Sequence, residues 1–489
     1  MMGYQPPPQE NLFSMNVALE NRVRKDHPLR DIKTLIDFNF TYKEVEEKYG
    51  SNGNVSVPPP VIVKLMLLLV LYNVRSEREL MNTLPERLDW LWFLGYTLDT
   101  SVPDHSVLSK ARKRWGQELF KKFFERIVLQ CTQAGLVDGR KIFMDGSIID
   151  ADASNNSVVD THSLKRYLKR GYAELTKRLE EKDGAVNTRF ISATDPDASI
   201  VRHGNGKPKL TYKTHRAVDG RHEIITAVTV TPGSVSEGYK MDSLIKIHEV
   251  NTDAKVAVVV ADSQYGTKEN LLDCYDKKIK AHIPVVKVLN GNTGSREGIY
   301  GEDRFIYNPE ADTFTCPAGK LLKKRTRHER VQNIEYGASK RDCAACSLRP
   351  QCTRSKGART VQRNIRHEEL QGMFATAKTS LARQDLKTRQ HLMERSFARS
   401  TRYGFDRSRW RGLWNAAIQE YLVVSIQNIQ TLIRYTKNRT RGVLGLSVTG
   451  AINNLLQRPC MRFRCALIIG VERLYQSLSC MKLLKDSHA

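Results

Sequence analysis

The sequence predicts a mixed α/β protein with an all-helical N-terminal domain and a cysteine-bearing insertion. Three observations predict it. Residues 61–135 place apolar side chains at helical spacing. From residue 140, short β-branched runs alternate with helical stretches, the pattern of a mixed sheet covered by helices. Between residues 288 and 375 this alternation gives way to a segment rich in Gly, Arg and Cys. The 489 residues are 40% hydrophobic, enough for a substantial core, and the length corresponds to roughly three domains.

Residues 1–60 form a polar lead with one or two short helices. Pro58, Pro59 and Pro60 mark a boundary and a helix start. Val61–Asn73 is the next helix. Its run Val61–Val74 is the most apolar in the chain, but Lys64 interrupts it and it is too short to span a bilayer. Ser76 stands as N-cap with Glu79 three residues on, the capping-box spacing, and predicts a helix over Ser76–Thr83. Asp89–Leu94 carries Trp90, Trp92 and Phe93. Pro103–Trp115 reads as a capped helix bearing Lys110, Arg112, Lys113 and Arg114. Short helices ending in a basic one resemble a helix-turn-helix arrangement, whose later helix lies in a DNA groove. A solvated basic face is the alternative.

Lys141–Met144 reads as a strand that carries Asp145 out at its end. Residues 155–207 form a polar insertion with a charged helix around Ser163–Lys182. Strand signals resume at Leu210–Val218, Glu223–Thr231, Lys255–Ala261 and Lys280–Val286. Helices are expected near Ser243–Val250 and over Lys268–Lys277, so Asp262 lies at a strand-to-helix corner. The helical pattern returns over residues 376–437, with Ala416–Tyr435 an amphipathic or buried helix. Residues 438–489 are a basic tail.

Lys and Arg number 78 against 53 Asp and Glu, a net charge of +25. Such an excess favours a polyanionic partner through release of counterions from phosphates. Asp145 and Asp262 each end an apolar run, and a rigid strand end suits metal geometry. Asp-Gly is also a common turn pair, so either aspartate alone is unremarkable. Glu394 lies on a helix face with Gln390, His391, Phe397 and Ala398. Arg389, Arg395, Arg399, Arg402, Arg407, Arg409 and Arg411 surround it, and guanidinium groups bind phosphates in bidentate fashion. Surface Glu–Arg pairing is the plainer reading. Carboxylates of this kind hold two Mg²⁺ (or Mn²⁺) ions in enzymes that cut phosphodiesters. Cys316, Cys343, Cys346 and Cys352 have the makings of a structural Zn²⁺ site, with four free buried thiols as the alternative. Cys131, Cys274, Cys460, Cys465 and Cys480 read as core or tail residues. Nine cysteines with no signal peptide in view point to a reducing cytoplasm.

On these residues the chain resembles the DDE transposases of bacterial insertion sequences, whose catalytic core is RNase H-like. The motifs run in order: Val102-Pro-Asp-His-Ser, Phe143-Met-Asp-Gly-Ser, Tyr212-Lys-Thr-His-Arg-Ala-Val-Asp-Gly, Val260-Ala-Asp-Ser-Gln-Tyr-Gly, Cys343-Ala-Ala-Cys-Ser-Leu-Arg-Pro-Gln-Cys, Met393-Glu-Arg-Ser-Phe-Ala and Arg411-Gly-Leu. They cover residues 15–437. The resemblance implies that Asp145, Asp262 and Glu394 are the catalytic triad and hold two Mg²⁺ or Mn²⁺ ions. Water would nick the element's terminal repeats, and the exposed 3′-OH would attack target DNA without a covalent enzyme–DNA intermediate. Double-stranded DNA and a second copy of the chain, as a homodimer, are the implied partners, at the bacterial nucleoid. Two departures stand out. Relatives carry a Tyr and an Arg before the glutamate and a Lys after it. Here Gln390 and Thr401 hold such places, leaving Arg389, Arg399 or Arg402 for phosphate contacts. After the third core strand the chain reads Gly233-Ser-Val-Ser-Glu-Gly-Tyr-Lys-Met-Asp, with Asp242 an auxiliary acid only. The rival functions are a DNA-binding protein with a dead centre and a nuclease of the same fold that cuts but does not join.

Overall fold

The computed structural model describes residues 2–4, 18–50, 54–160, 190–202, 206–284, 298–329 and 332–448, with side chains through residue 437. The chain forms two compact units, residues 1–429 and 430–489. In the second, residues 430–448 are described and are helical. The expected helix around Ser163–Lys182, the end of the expected strand Lys280–Val286 and most of the tail lie outside the described residues.

Among the described residues, those between 19 and 133 form helices joined by turns and loops: α1 (Leu19–Arg22), α2 (Pro28–Leu35), α3 (Phe40–Val45), α4 (Pro59–Leu71), α5 (Glu77–Thr83), α6 (Leu88–Leu94), α7 (Ser106–Trp115) and α8 (Glu118–Gln133). α4 is apolar all round and is therefore the centre of this region, buried from Pro59 to Val70 except at Lys64. The Lys64 ammonium lies over the Phe38 and Phe93 rings, and burial pushes its pKa down to about 8. The Ser76 hydroxyl accepts from the Glu79 amide and starts α5 as the capping pattern requires. α6 ends on Gly95, whose left-handed backbone closes the helix.

Among the described residues eight strands follow: β1 (Lys141–Asp150), β2 (Val158–Asp160), β3 (Phe190–Ser192), β4 (Ser199–Val201), β5 (Lys209–Asp219), β6 (Ile225–Pro232), β7 (Val258–Val260) and β8 (Lys280–His282). β2 and β3 form a separate pair. The main sheet runs β4-β5-β1-β7-β8, with β6 also on β5. β5 is antiparallel to β1 and β6, whereas β7 is parallel to both β1 and β8. The parallel connections are helices, α9 (Met241–Thr252) and α10 (Lys268–Asp276). Side chains on β1 alternate between two cores. Ile142 and Met144 join Met241, Leu244 and Leu271, while Phe143 joins Phe124, Leu392 and Met393.

The expected strand Lys141–Met144 is longer than its apolar run. β5 matches β1 residue by residue from Ile142↔Asp219 to Asp150↔Thr211, so the ladder carries polar residues along with it. Asp145 therefore lies within β1, not beyond its end. On the other edge β7 pairs only as far as Phe143↔Val260, and there Asp145 meets an open edge.

Residues 306–364 form a second, antiparallel sheet: β9 (Ile306–Asn308), β10 (Thr313–Thr315), β11 (Leu321–His328), β12 (Asn333–Gly337) and β13 (Thr360–Asn364). Two short helices, α11 (Lys340–Ala344) and α12 (Arg349–Cys352), join β12 to β13. Three helices end the described chain: α13 (His367–Ala377), α14 (Ser380–Thr401) and α15 (Leu413–Val448). Asp385 of α14 receives hydrogen bonds from Lys141 of β1 (3.0 Å) and lies 2.7 Å from His282 Nδ1 of β8, which fixes that helix across the sheet. Among the described residues no helix is long and apolar enough to cross a membrane.

Candidate active site

The rung Phe143↔Val260 builds the site. Asp145 follows Phe143 by two residues and Asp262 follows Val260 by two. In parallel strands, equal offsets from one rung bring two side chains out side by side. Asp145 Oδ1 accepts from the Gly146 amide at 2.9 Å. Its other oxygen lies 2.8 Å from Nη1 of Arg389 on α14. Asp262 Oδ1 accepts from the Gln264 amide at 2.9 Å and holds the turn over Ser263–Tyr265.

A third carboxylate joins them. Glu237 opens the short 3₁₀ turn Glu237–Lys240 after β6, and its side chain is 9% exposed. Oxygens of Asp145, Glu237 and Asp262 all lie within 4.8 Å of one another. Glu237 Oε1 is 3.4 Å from Lys213 Nζ, whereas buried Oε2 has no hydrogen-bond partner among the described residues. The Tyr265 hydroxyl is buried and unpartnered in the same way. Burial pushes the Asp145 carboxyl up, opposed by the Arg389 guanidinium. Burial likewise raises Glu237 against the pull of Lys213, and the other two carboxylates add to the rise. A half-buried donor set made only of hard oxygens, with the uncompensated oxygen of buried Glu237 inside it, fits Mg²⁺ or Mn²⁺.

Glu394 is not in this group. It is exposed on α14, and its Oε1 accepts from Gln390 at 3.2 Å. Five residues separate it from Arg389, which turns it about 140° around the helix from the residue that meets Asp145. Asp242 is also elsewhere: it pairs with Lys246 and Lys277 at 2.7 and 2.5 Å. Within the segment after β6, then, the acid that reaches the site is Glu237. The available signal was its position just past a strand end, like that of Asp262.

The basic residues divide. Lys110, Lys113 and Arg114 are exposed along α7. Arg112, expected beside them, is buried. Its side chain pairs with Glu77 and lies 3.9 Å from the Trp410 ring centre. Leu108, Ala111, Arg112 and Trp115 are the buried stripe of α7, and helical spacing places Arg112 in it. Arg395 and Arg399 both pair with Glu223, at 2.6 and 2.7 Å. Arg407 and Arg411 pair with Asp152, at 3.0 and 3.7 Å, and Arg402 is exposed. Arg409 departs from the expected surface role. It is half-buried and donates to the Val74 carbonyl, Asn73 and the Tyr403 carbonyl, which straps residues 402–412 to the end of α4.

Cys316, Cys343, Cys346 and Cys352 line one cavity, closed by Leu322, Ala338 and Leu348. The Cys352 thiol is pushed up by burial and by its three neighbouring cysteines. Cys131 and Cys274 are buried free thiols in the core.

Residues 17–114 match the family described as a transposase domain (DUF772), and residues 315–433 match a transposase DDE domain. No curated protein matches the chain. Among solved structures, the cryo-EM structure of a piggyBac transposase synaptic complex with hairpin DNA aligns over 88% of this chain and 82% of that one. The identity is 11% and the TM-score 0.31. The two domain matches, one across the N-terminal helices and one ending in α15, make these two stretches of the chain similar to transposase domains.

Proposed function

We propose that the protein binds the terminal inverted repeats of its own element, cuts the DNA there and joins the freed 3′-OH ends to target DNA. The observation that carries this reading is the pairing of Asp145 with Asp262 at equal offsets from the Phe143↔Val260 rung, in a chain of net charge +25. The strand order supports an RNase H-like core, with three antiparallel strands (β6, β5, β1) continued by two parallel ones (β7, β8).

Asp145 and Asp262 would hold the divalent ions. Mg²⁺ or Mn²⁺ bound there supplies activation of the attacking oxygen and charge stabilisation on the leaving one. Arg389, already against Asp145, would turn its guanidinium to the phosphate once the carboxylate has another counter-charge. Glu394 is the third acid that the resemblance implies. Its exposed carboxylate, bonded to Gln390, is available to a DNA-bound complex. Lys110, Lys113 and Arg114 on α7, with Arg395, Arg399, Arg402, Arg407 and Arg411, are the proposed backbone contacts, and two copies of the chain act on paired ends. The four cysteines that share one cavity hold a structural Zn²⁺.

The test is a Mg²⁺-dependent cleavage assay on a duplex carrying the gene's flanking ends. The wild type should nick at the ends and join them to a second duplex. Asp145→Asn, Asp262→Asn and Glu394→Gln should each lose nicking and keep DNA binding. Nicking without joining would make the protein a nuclease, and binding without nicking would leave a DNA-binding role.

A further inference from the structure

We propose that Glu237 is a direct ligand of the divalent ion, completing with Asp145 and Asp262 a three-carboxylate site that is assembled before DNA binds. The inference rests on the metal-dependent reading above and adds a residue to it.

Three observations carry it. The first is the unmet oxygen. Glu237 Oε2 is buried with no hydrogen-bond partner among the described residues, in a group whose oxygens lie within 4.8 Å of one another. An unpaired buried carboxylate oxygen is costly, and a cation in the pocket relieves that cost. The second is the room made for it. A Cβ on Gly146 would lie 2.8 Å from the Glu237 carboxyl group, so a side chain on β1 there would push that carboxyl from its present place. The third is a clasp between the two acid-bearing turns. Asn270 Nδ2 donates to the Gly238 carbonyl and to the Tyr265 carbonyl, both at 2.9 Å. One side chain thus locks the turn after Glu237 to the turn after Asp262.

The charges agree. Three carboxylates face two cations, Lys213 on Glu237 and Arg389 on Asp145. A divalent ion more than offsets the one remaining negative charge, and the balance closes when Arg389 turns from Asp145 to the phosphate. Lys213 holds Oε1 and leaves Oε2 for the ion. Glu394, exposed and bonded to Gln390, takes no part in this resting site.

The measurement is Mn²⁺ binding to the full-length, DNA-free protein by titration calorimetry, with thermal unfolding of each variant alongside. Glu237→Gln and Asp262→Asn should each weaken binding by about tenfold or more, the scale seen when metal-site partners are removed. Asp242→Asn, whose carboxylate pairs with Lys246 and Lys277 away from the pocket, should bind as the wild type does. If Glu237→Gln unfolds, Glu237→Asp keeps the charge, draws it back by one methylene and should show the same loss. Wild-type affinity in a folded Glu237 variant, with Asp262→Asn impaired, overturns the inference and leaves the metal reading standing. No Mn²⁺ binding by the wild type, or none lost in Asp262→Asn, removes the metal reading itself.

Discussion

Arg216 and Glu420 show how single residues hold the core to its helices. Both side chains are almost fully buried, and Arg216 Nε lies 2.6 Å from Glu420 Oε1. Thr214 adds a hydrogen bond to the same oxygen at 2.8 Å, and the guanidinium lies 4.6 and 4.9 Å from the centres of the Phe397 and Phe405 rings. The pair joins β5 to α15, with α14 contributing Phe397 and Ser396. Removing one member leaves a buried charge without its partner. Glu420→Ala should therefore cost about 3–5 kcal/mol in denaturant unfolding. A double substitution of Arg216 and Glu420 by methionine should recover much of that loss. Equal losses in the single and double variants would show that volume, not charge, is what matters there.

At the scale of elements, α7 sorts its basic residues by face. Lys110→Ala, Lys113→Ala and Arg114→Ala should weaken DNA binding in a filter or anisotropy assay and leave the melting temperature unchanged. Arg112→Ala should do the reverse, because it breaks the pair with Glu77 and the contact with Trp410. DNA affinity lowered by Arg112→Ala with stability intact would return that residue to the surface. The cysteine-bearing sheet offers a second element-scale prediction. Zn²⁺ bound by four thiolates contributes directly to folding. Cys343→Ser, or a strong chelator added to the wild type, should lower the melting temperature, and metal analysis of the wild type should find zinc. Zinc-free protein would leave four half-buried free thiols.

For the whole molecule, the +25 charge should govern how DNA binding responds to salt. The logarithm of affinity should fall linearly with the logarithm of salt concentration, by about 0.9 for each phosphate neutralised. Removing one contacting lysine or arginine should reduce that slope by about 1 and weaken binding evenly across sequences. A slope unchanged by Lys113→Ala would take α7 out of the contact surface. Asp262→Asn, which removes negative charge from the pocket, should leave the slope no smaller while cleavage is lost.

Local pattern was enough for much of this protein. The apolar run of α4, the Ser76 cap, the strands β5 to β8 and the two aspartates were all legible, because periodicity and capping act over a few residues. The matches at residues 17–114 and 315–433 agree with the family that the ordered motifs resemble. Other features depended on contacts between distant parts of the chain. β1 outruns its apolar stretch because β5 pairs with it to Asp150. The sheet over residues 306–364 was missed because strands such as β11, with its run of Lys and Arg, bury little beyond Leu322. Arg112 is basic like its neighbour Lys113, and its spacing from Leu108, Ala111 and Trp115 is what sets it on the covered face of α7. Glu237 lies 92 residues from Asp145 and 25 from Asp262 in the chain. The sequence by itself determined α4, α5 and the strands β5 to β8, and it marked the two aspartates that the fold brings together. The tertiary structure decided their register, which arginines are buried and which acid stands third in the pocket, because strand pairing and side-chain burial depend on segments that local periodicity does not connect.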